Sequence, residues 1–241
     1  MIKTVADMHC HTIASTHAYS TVKEMITAAH DKGLYALAVT DHGRAMPGAP
    51  GTYYFENLRT IPRVYNGVRV IKGIEANIID FDGNLDASDE LLDDLDWVVA
   101  SIHGPTVKGE RSFEACTNAW LKIAENPLVD VIGHCGTVGF EFDYDRVIKV
   151  FAEKGKLVEI NSGSFKFRPK SIPNCRTIAK LCAKHGARVI LNSDAHFENM
   201  VGDHVAAIAL LEEINFPKEL IVNADLQTFK ALLTEKNIPL E

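Results

Sequence analysis

The sequence predicts an α/β fold, a distorted (β/α)7 barrel of the TIM-like kind, and three observations lead there. About seven short apolar runs alternate with helical patterns, which specifies parallel strands joined by right-handed crossovers, and that many units favour closure over an open sheet. The 241 residues suit one closed α/β unit, since such folds commonly run ~200 to 250 residues, so residues 1–241 are read as a single domain. Reactive side chains recur at one kind of place, the carboxyl end of an apolar run, and in a barrel those ends share the face that carries active sites.

The elements follow in order. Residues 4–11 are read as a strand carrying Asp7-Met8-His9-Cys10-His11. Alternation puts His9 and His11 on one face with Asp7, where Asp7 can accept the second N–H of a ligating ring, and puts Met8 and Cys10 on the other. Thr21 and Glu24 form a capping-box pattern that opens a helix to about Lys32, stopped by Gly33. The second strand, 34–40, ends in Asp41-His42-Gly43, and the Pro- and Gly-rich stretch 46–51 breaks all periodicity before a short helix over 54–58. Residues 69–74 form a strand ending at Glu75, with an extended piece at 76–79 turned back at Asp82-Gly83 into a small hairpin. An acidic helix over 88–96 feeds a strand over 97–102 that ends at His103. The rhythm then repeats: helix 113–125, strand 129–133 ending at His134, helix 143–154 closed by Gly155, strand 157–160 ending at Asn161. Helix 174–185 stops at Gly186, and strand 188–191 ends in Asn192-Ser193-Asp194-Ala195-His196. Helices over 204–214 and 225–235 close the chain around one more short run, 220–223.

Composition narrows the function classes. A net charge of -7 and a pI near 5.8 give no electrostatic footprint for duplex nucleic acid or an anionic membrane surface. No apolar run approaches the ~20 residues of a membrane span, and the first residues lead straight into structure without a targeting segment, so a cytoplasmic protein acting on a small molecule is expected. The five cysteines are odd in number and contain no C-x-x-C pair, which argues for reduced, packed thiols. A homo-oligomer is left open.

His9, His11, His42, Glu75, His103, His134, Asp194 and His196 all stand at predicted strand ends, and imidazole and carboxylate are metal ligands. His17 joins them, because its loop must cross the barrel mouth. Nine ligands are too many for one ion, since a four-coordinate catalytic metal takes three protein groups and keeps a position for water or substrate. Two or three divalent ions bridged by a carboxylate are expected, a polynuclear centre whose bridging hydroxide attacks phosphorus. Phosphoester hydrolysis uses all of this. Glu75, Asp194 and His196 are the candidates for catalytic duty. Arg44 and the loop Asn161-Ser162-Gly163-Ser164-Phe165-Lys166-Phe167-Arg168, with Arg168 foremost, can bring cations and backbone donors to a phosphate. His30 and His185 fall in the last turns of helices, where they complement the helix dipole, and His204 is expected at the surface.

Asp7-Met8-His9-Cys10-His11, Thr40-Asp41-His42-Gly43, Gly73-Ile74-Glu75, Ser101-Ile102-His103, Gly133-His134 and Ser193-Asp194-Ala195-His196 together resemble the motif signature of the PHP (polymerase and histidinol phosphatase) family. The resemblance spans nearly the whole chain, and the length is similar to that of the small stand-alone bacterial phosphatases of the family. It implies a distorted seven-unit barrel with three metals, His9, His11 and Asp194 holding one, His103 and His134 a second, and His17, His42 and His196 a third, with Glu75 bridging the first two. It also implies phosphatase or phosphodiesterase activity with zinc, manganese or iron, on a phosphorylated substrate that it does not name. Two rivals remain: an amidohydrolase cleaving C–N bonds, which also starts with His-x-His but usually bridges its metals with a modified lysine absent from the corresponding strand ends here, and a non-catalytic metal-binding accessory module, which would tend to have lost ligands.

Overall fold

The computed structural model describes residues 2–240. The strands are β1 (Ala6–Asp7), β2 (Ala36–Val39), β3 (Val64–Tyr65), β4 (Val68–Asn77), β5 (Trp97–Ser101), β6 (Val131–Ile132), β7 (Leu157–Asn161) and β8 (Val189–Asn192). Seven run parallel in the order β1-β2-β4-β5-β6-β7-β8, and β3 pairs antiparallel with β4. The helices are α1 (Val22–Asp31), α2 (Thr52–Asn57), α3 (Asp89–Asp94), α4 (Phe113–Glu125), α5 (Tyr144–Glu153), α6 (Ser162–Phe167), α7 (Ile172–His185), α8 (Val205–Glu213) and α9 (Leu226–Glu235). This is the expected distorted seven-strand parallel barrel, nearly closed. Among the described residues no helix is long and apolar enough to cross a membrane.

Two apolar clusters hold it together, one inside the barrel and one between sheet and helices. Inside, Ala6, Met8, Ala36, Ala38, Ile71, Val99, Val131, Leu157 and Ile190 surround Trp97, which is fully buried. Small residues on β1 and β2 offset the bulk of the indole. Gly73 faces Trp97 across the β4–β5 ladder, and a Cβ there would come within 2.5 Å of the Trp97 carbonyl oxygen, so the position has no room for a side chain. Outside, amphipathic helices cover the strands; α5 buries Val147, Ile148 and Phe151. The predicted capping box at Thr21 and Glu24 opens α1, and Gly186 closes α7 in the left-handed conformation at φ 70°, as the sequence required.

The barrel closes along a seam between β1 and β8, and here the sequence expectation needs correction. Period-2 alternation from Asp7 to His11 fails, because Met8 packs in the interior cluster while Cys10 packs in the outer one. Met8 and His9 therefore both turn inward, as at a β-bulge, and Asp7 turns outward. The bulge breaks the ladder and leaves the Met8 peptide groups without strand partners; the Met8 N–H donates to Asn192 Oδ1 at 3.0 Å and its carbonyl accepts from Trp97 Nε1 at 3.1 Å. Two side chains thus satisfy buried backbone that a neighbouring strand would otherwise satisfy. Above the bulge, direct pairing resumes: the Asp194 N–H donates to the His9 carbonyl at 3.1 Å and the His11 N–H to the Ala195 carbonyl at 2.8 Å. Below it, the run 221–223 fills the gap, with Val222 N–H bonded to the Val189 carbonyl and Val5 N–H to the Asn223 carbonyl.

Three smaller expectations also shift. β4 does not end at Glu75 but two residues later, because pairing with β5 continues to Asn77 and Ser101 after β2 has stopped. The hairpin expected after it reduces to a single antiparallel bridge between Ile78 and Leu85. The stretch 161–168, read as a loop following a strand end, contains α6, since the Asn161 side chain caps it by accepting from the Ser164 N–H at 2.8 Å.

Candidate metal centre

All nine sequence-predicted ligands meet at the carboxyl end of the barrel. Glu75 is the hub. Its Oε1 lies 3.3 Å from His9 Nε2, 3.4 Å from His103 Nε2 and 2.9 Å from His134 Nε2. Its Oε2 lies 3.5 Å from His11 Nε2 and 2.6 Å from His42 Nδ1. Asp194 Oδ1 stands 3.2 Å from His11 Nε2 and 3.7 Å from His9 Nε2. His17 reaches in from the loop after β1: its Nε2 is 3.1 Å from His42 Nε2 and its ring is 4.8 Å from that of His196. Two of the nine have unusual backbones, His134 at φ 24° and Asp194 at φ 57°. Left-handed conformations of non-glycine residues gather at functional sites, where the surrounding structure enforces them.

Buried carboxylates that are not themselves candidate ligands hold this cluster from behind. Glu159, on β7, was not singled out in the sequence. Its Oε1 accepts from His9 Nδ1 at 2.7 Å and from Asn192 Nδ2 at 2.9 Å, and its Oε2 accepts from the His134 N–H at 2.7 Å and from Asn161 Nδ2 at 3.0 Å. With Nδ1 committed to the carboxylate, the His9 Nε2 lone pair points into the mouth, the arrangement by which a carboxylate orients a ligating imidazole. The signal in the sequence was a charged residue inside the apolar run of β7. Asp86 does the same for His103 at one remove: it accepts from the Asn77 amide at 2.6 Å, and Asn77 Oδ1 faces His103 Nδ1 at 2.8 Å. His196 Nδ1 is taken by the Asp194 carbonyl at 2.9 Å.

Asp7 is not behind His9, contrary to the strand reading. Turned outward by the bulge, it accepts from the Ser193 N–H and hydroxyl and from the Gly202 N–H, and so anchors the segment that carries Asp194 and His196. His204 is not at the surface either. It is buried, with Nδ1 2.7 Å from Thr4 Oγ1 and Nε2 3.6 Å from Asp7 Oδ1, because the outward Asp7 needs a partner on that side. Both helix-end histidines lie where expected: His30 is in the last turn of α1, and His185 Nε2 pairs with Asp145 Oδ1 at 2.9 Å. Arg168 sits at the rim, its Nη2 3.1 Å from Asp194 Oδ2 and 3.1 Å from Ser164 Oγ. Arg44 is exposed beyond β2.

Electrostatics match a cation site. Burial opposes ionisation of Glu75 and Asp194, but the facing histidines, and Arg168 for Asp194, hold both carboxyls well below the usual carboxylate range. Burial, with the charges of His42 and His196, pushes His11 well below the ordinary imidazole value, and the same causes lower His17. His9 goes the other way: burial resists its charge, but Glu159, Glu75 and Asp194 outweigh it and raise it well above the ordinary value. Buried His9 Nε2, His11 Nε2, His42 Nδ1 and Glu75 Oε2 make no directed hydrogen bond among the described residues, the close approach of His42 Nδ1 to Glu75 Oε2 included. Three overlapping sets, His9 with His11 and Glu75, His11 with His42 and His196, and His42 with Glu75 and His103, bring donor atoms within 4.8 Å of one another and could each hold an ion. Convergent orphaned donors of nitrogen and oxygen type fit divalent metals such as zinc.

A pH dependence follows. A cation can bind His9 only after that ring gives up its proton, and because its value in the metal-free site is raised, competition by protons begins above the usual ~6.5 of imidazole and grows as pH falls. Metal affinity is therefore expected to rise from pH 6 to pH 8, and activity to fall below neutrality, as followed by competition with a chromophoric chelator and by a rate profile. An activity optimum near pH 4 with metal retained would point to carboxylate acid/base chemistry instead.

Fold and site together define a barrel protein with a metal-binding histidine and carboxylate cluster at its carboxyl mouth. The chain belongs to the PHP domain family, which it matches over residues 7–163. It is 44% identical to a "probable phosphatase" of Acetivibrio thermocellus, over 98% of this chain and 97% of that protein. It is 42% identical to a "probable phosphatase" of Clostridium novyi, over 98% of this chain and 96% of that protein. These full-length relatives bear out the expectation of a hydrolase acting on phosphoric esters. The fold is similar to that of the histidinol phosphate phosphatase of Lactococcus lactis, solved with zinc, L-histidinol and phosphate, at a TM-score of 0.63 and 17% identity, covering 90% of this chain and 95% of that one.

Proposed function

We propose that the protein is a metal-dependent phosphatase that hydrolyses a small phosphate ester at a centre of two or three divalent ions held by His9, His11, His17, His42, Glu75, His103, His134, Asp194 and His196. The observation that carries this reading is Glu75, one buried carboxylate within 3.5 Å of imidazole nitrogens from five histidines, a position from which it can bridge two ions. Zinc is the favoured metal, with manganese and iron as alternatives. When bound, such ions lower the pKa of coordinated water and draw charge from phosphoryl oxygens. The chain's own groups supply the rest. Glu75 and Asp194, ionised throughout the working pH range, offset the cationic charge. Glu159, Asn77 and the Asp194 carbonyl hold His9, His103 and His196 with Nδ1 occupied and Nε2 toward the mouth. Arg168 at the rim, and Arg44 exposed beyond β2, are suited to receive the phosphate oxygens.

Metal analysis of the purified, reconstituted protein should give two to three equivalents per chain, and an aryl phosphate should turn over where an aryl ester and an amide do not. At most one equivalent after reconstitution would remove the polynuclear centre. Amide cleavage without phosphate release would favour the C–N hydrolase reading, and metal uptake without turnover of any of the three would favour the accessory module.

A further inference from the structure

The buried Asp41 has no place among the nine candidate ligands, yet it carries an unusually complete set of hydrogen bonds. Its Oδ1 accepts from the Thr12 N–H at 2.7 Å and from the Ser15 hydroxyl at 2.7 Å. Its Oδ2 accepts from the Thr12 hydroxyl at 2.8 Å and from the Tyr54 hydroxyl at 2.5 Å. Ser15 Oγ in turn accepts from the His42 N–H at 3.1 Å, so one carboxylate ties the loop after β1 to the end of β2. The loop continues from this anchor through a turn closed by the Ala18 N–H on the Ser15 carbonyl, and its far end is fixed by the Tyr19 N–H on the His196 carbonyl. His17 lies between the two anchors. It is exposed, whereas His9, His11 and Glu75 are fully buried, so apart from its ring contacts with His42 and His196 its position rests on the loop that carries it.

Resting on the function proposed above, we infer that Asp41 is the positioning residue for the outer part of the centre: it brings His17 against His42 and His196, and its loss releases the ion held there while the inner donors keep theirs. The inner donors have separate supports. His9 and the His134 backbone are held by Glu159, and His103 by Asn77 and Asp86. None of those contacts passes through Asp41. The carboxylate is also hard to replace: in Asp41→Asn only the orientation that turns NH2 toward the Thr12 and Tyr54 hydroxyls spares the Thr12 N–H, both hydroxyls must then reverse from donating to accepting, and all four bonds lose the strengthening that the charge gave them.

The test compares wild type, Asp41→Asn, His17→Gln and the double variant, each stripped and titrated with zinc, with bound metal counted after gel filtration and unfolding of the metal-free proteins followed by circular dichroism. Asp41→Asn and His17→Gln should each lose about one equivalent, or bind it at least ~10-fold more weakly, and the double variant should lose no more than either single one, since both act on the same position. The other equivalents should keep their wild-type affinity. Full wild-type stoichiometry and affinity in Asp41→Asn, or loss of all equivalents together, overturns the inference. If Asp41→Asn does not fold, Ser15→Ala decides, since it removes the hydroxyl that joins Asp41 to the His42 backbone and should weaken the same single equivalent. A wild-type protein that binds these ions but releases no phosphate defeats the function proposed above, and the metal comparison still decides the role of Asp41.

Discussion

Replacing Glu75 with Gln is expected to lower phosphatase turnover at least ~100-fold, the scale of losing a major electrostatic contribution at a reacting centre, and to strip metal from the protein. Gln keeps the shape of Glu but removes the charge that faces five imidazoles. It also places an NH2 group where one of two cation-facing oxygens stood, so one side of the hub can no longer ligate. The matched controls are His30→Gln and His185→Gln, at helix ends on the outer layer, which should change stability by well under ~1 kcal/mol and leave turnover intact. Survival of activity and metal content in Glu75→Gln, with loss in either helix-end variant, would falsify the proposed site.

The second large effect is expected at Glu159, which is buried behind the candidate ligands. Each of its oxygens accepts two hydrogen bonds, Oε1 from His9 and Asn192, Oε2 from the His134 backbone and Asn161. In Glu159→Gln the amide nitrogen must face one of these donor pairs. If it faces His9, the ring loses the acceptor that fixes its tautomer; if it faces the His134 N–H, the backbone carrying that ligand at φ 24° loses its restraint. Either way metal affinity should fall ~10- to 100-fold, as for the partners that orient ligating histidines, and the buried donor left unpaired should cost about 1–3 kcal/mol of stability. Competition titration and denaturant unfolding read the two effects separately. Wild-type affinity in Glu159→Gln would mean that His9 needs no orienting partner.

Much of the architecture was legible because its signals were local. Apolar runs, Gly stops and the Thr21–Glu24 box place helices and strands within a few residues, and eight of the nine candidate ligands were found because their chemistry coincides with predicted strand ends, the ninth, His17, because its loop must cross the mouth. What escaped depended on the third dimension. The inward turn of both Met8 and His9 is made possible by Asn192 and Trp97, 184 and 89 residues away, so nothing near Asp7 announced that it would face outward and bury His204. Glu159 was visible as a carboxylate inside an apolar strand, but alternation alone does not say that its face meets His9. α6 was hidden because its stretch follows a strand end and reads as loop until the Asn161 cap is seen.

The seam between β1 and β8 sets a condition on how the protein comes into being. His9 and His11 are synthesised well before Asp194 and His196, which stand across the seam and follow more than 180 residues later in the chain. The β1–β2 and β2–β4 pairings join nearer neighbours in sequence, but the β1–β8 contact must close a loop of 184 residues, and closure of so long a loop is paid in chain entropy before any contact repays it. On the ribosome, where synthesis proceeds at ~5 to 20 residues per second, the first histidines spend on the order of ten seconds without their distal partners. A cation captured in that interval meets only part of the donor set, so the complete centre, and any selectivity that depends on its full geometry, belongs to the finished chain alone.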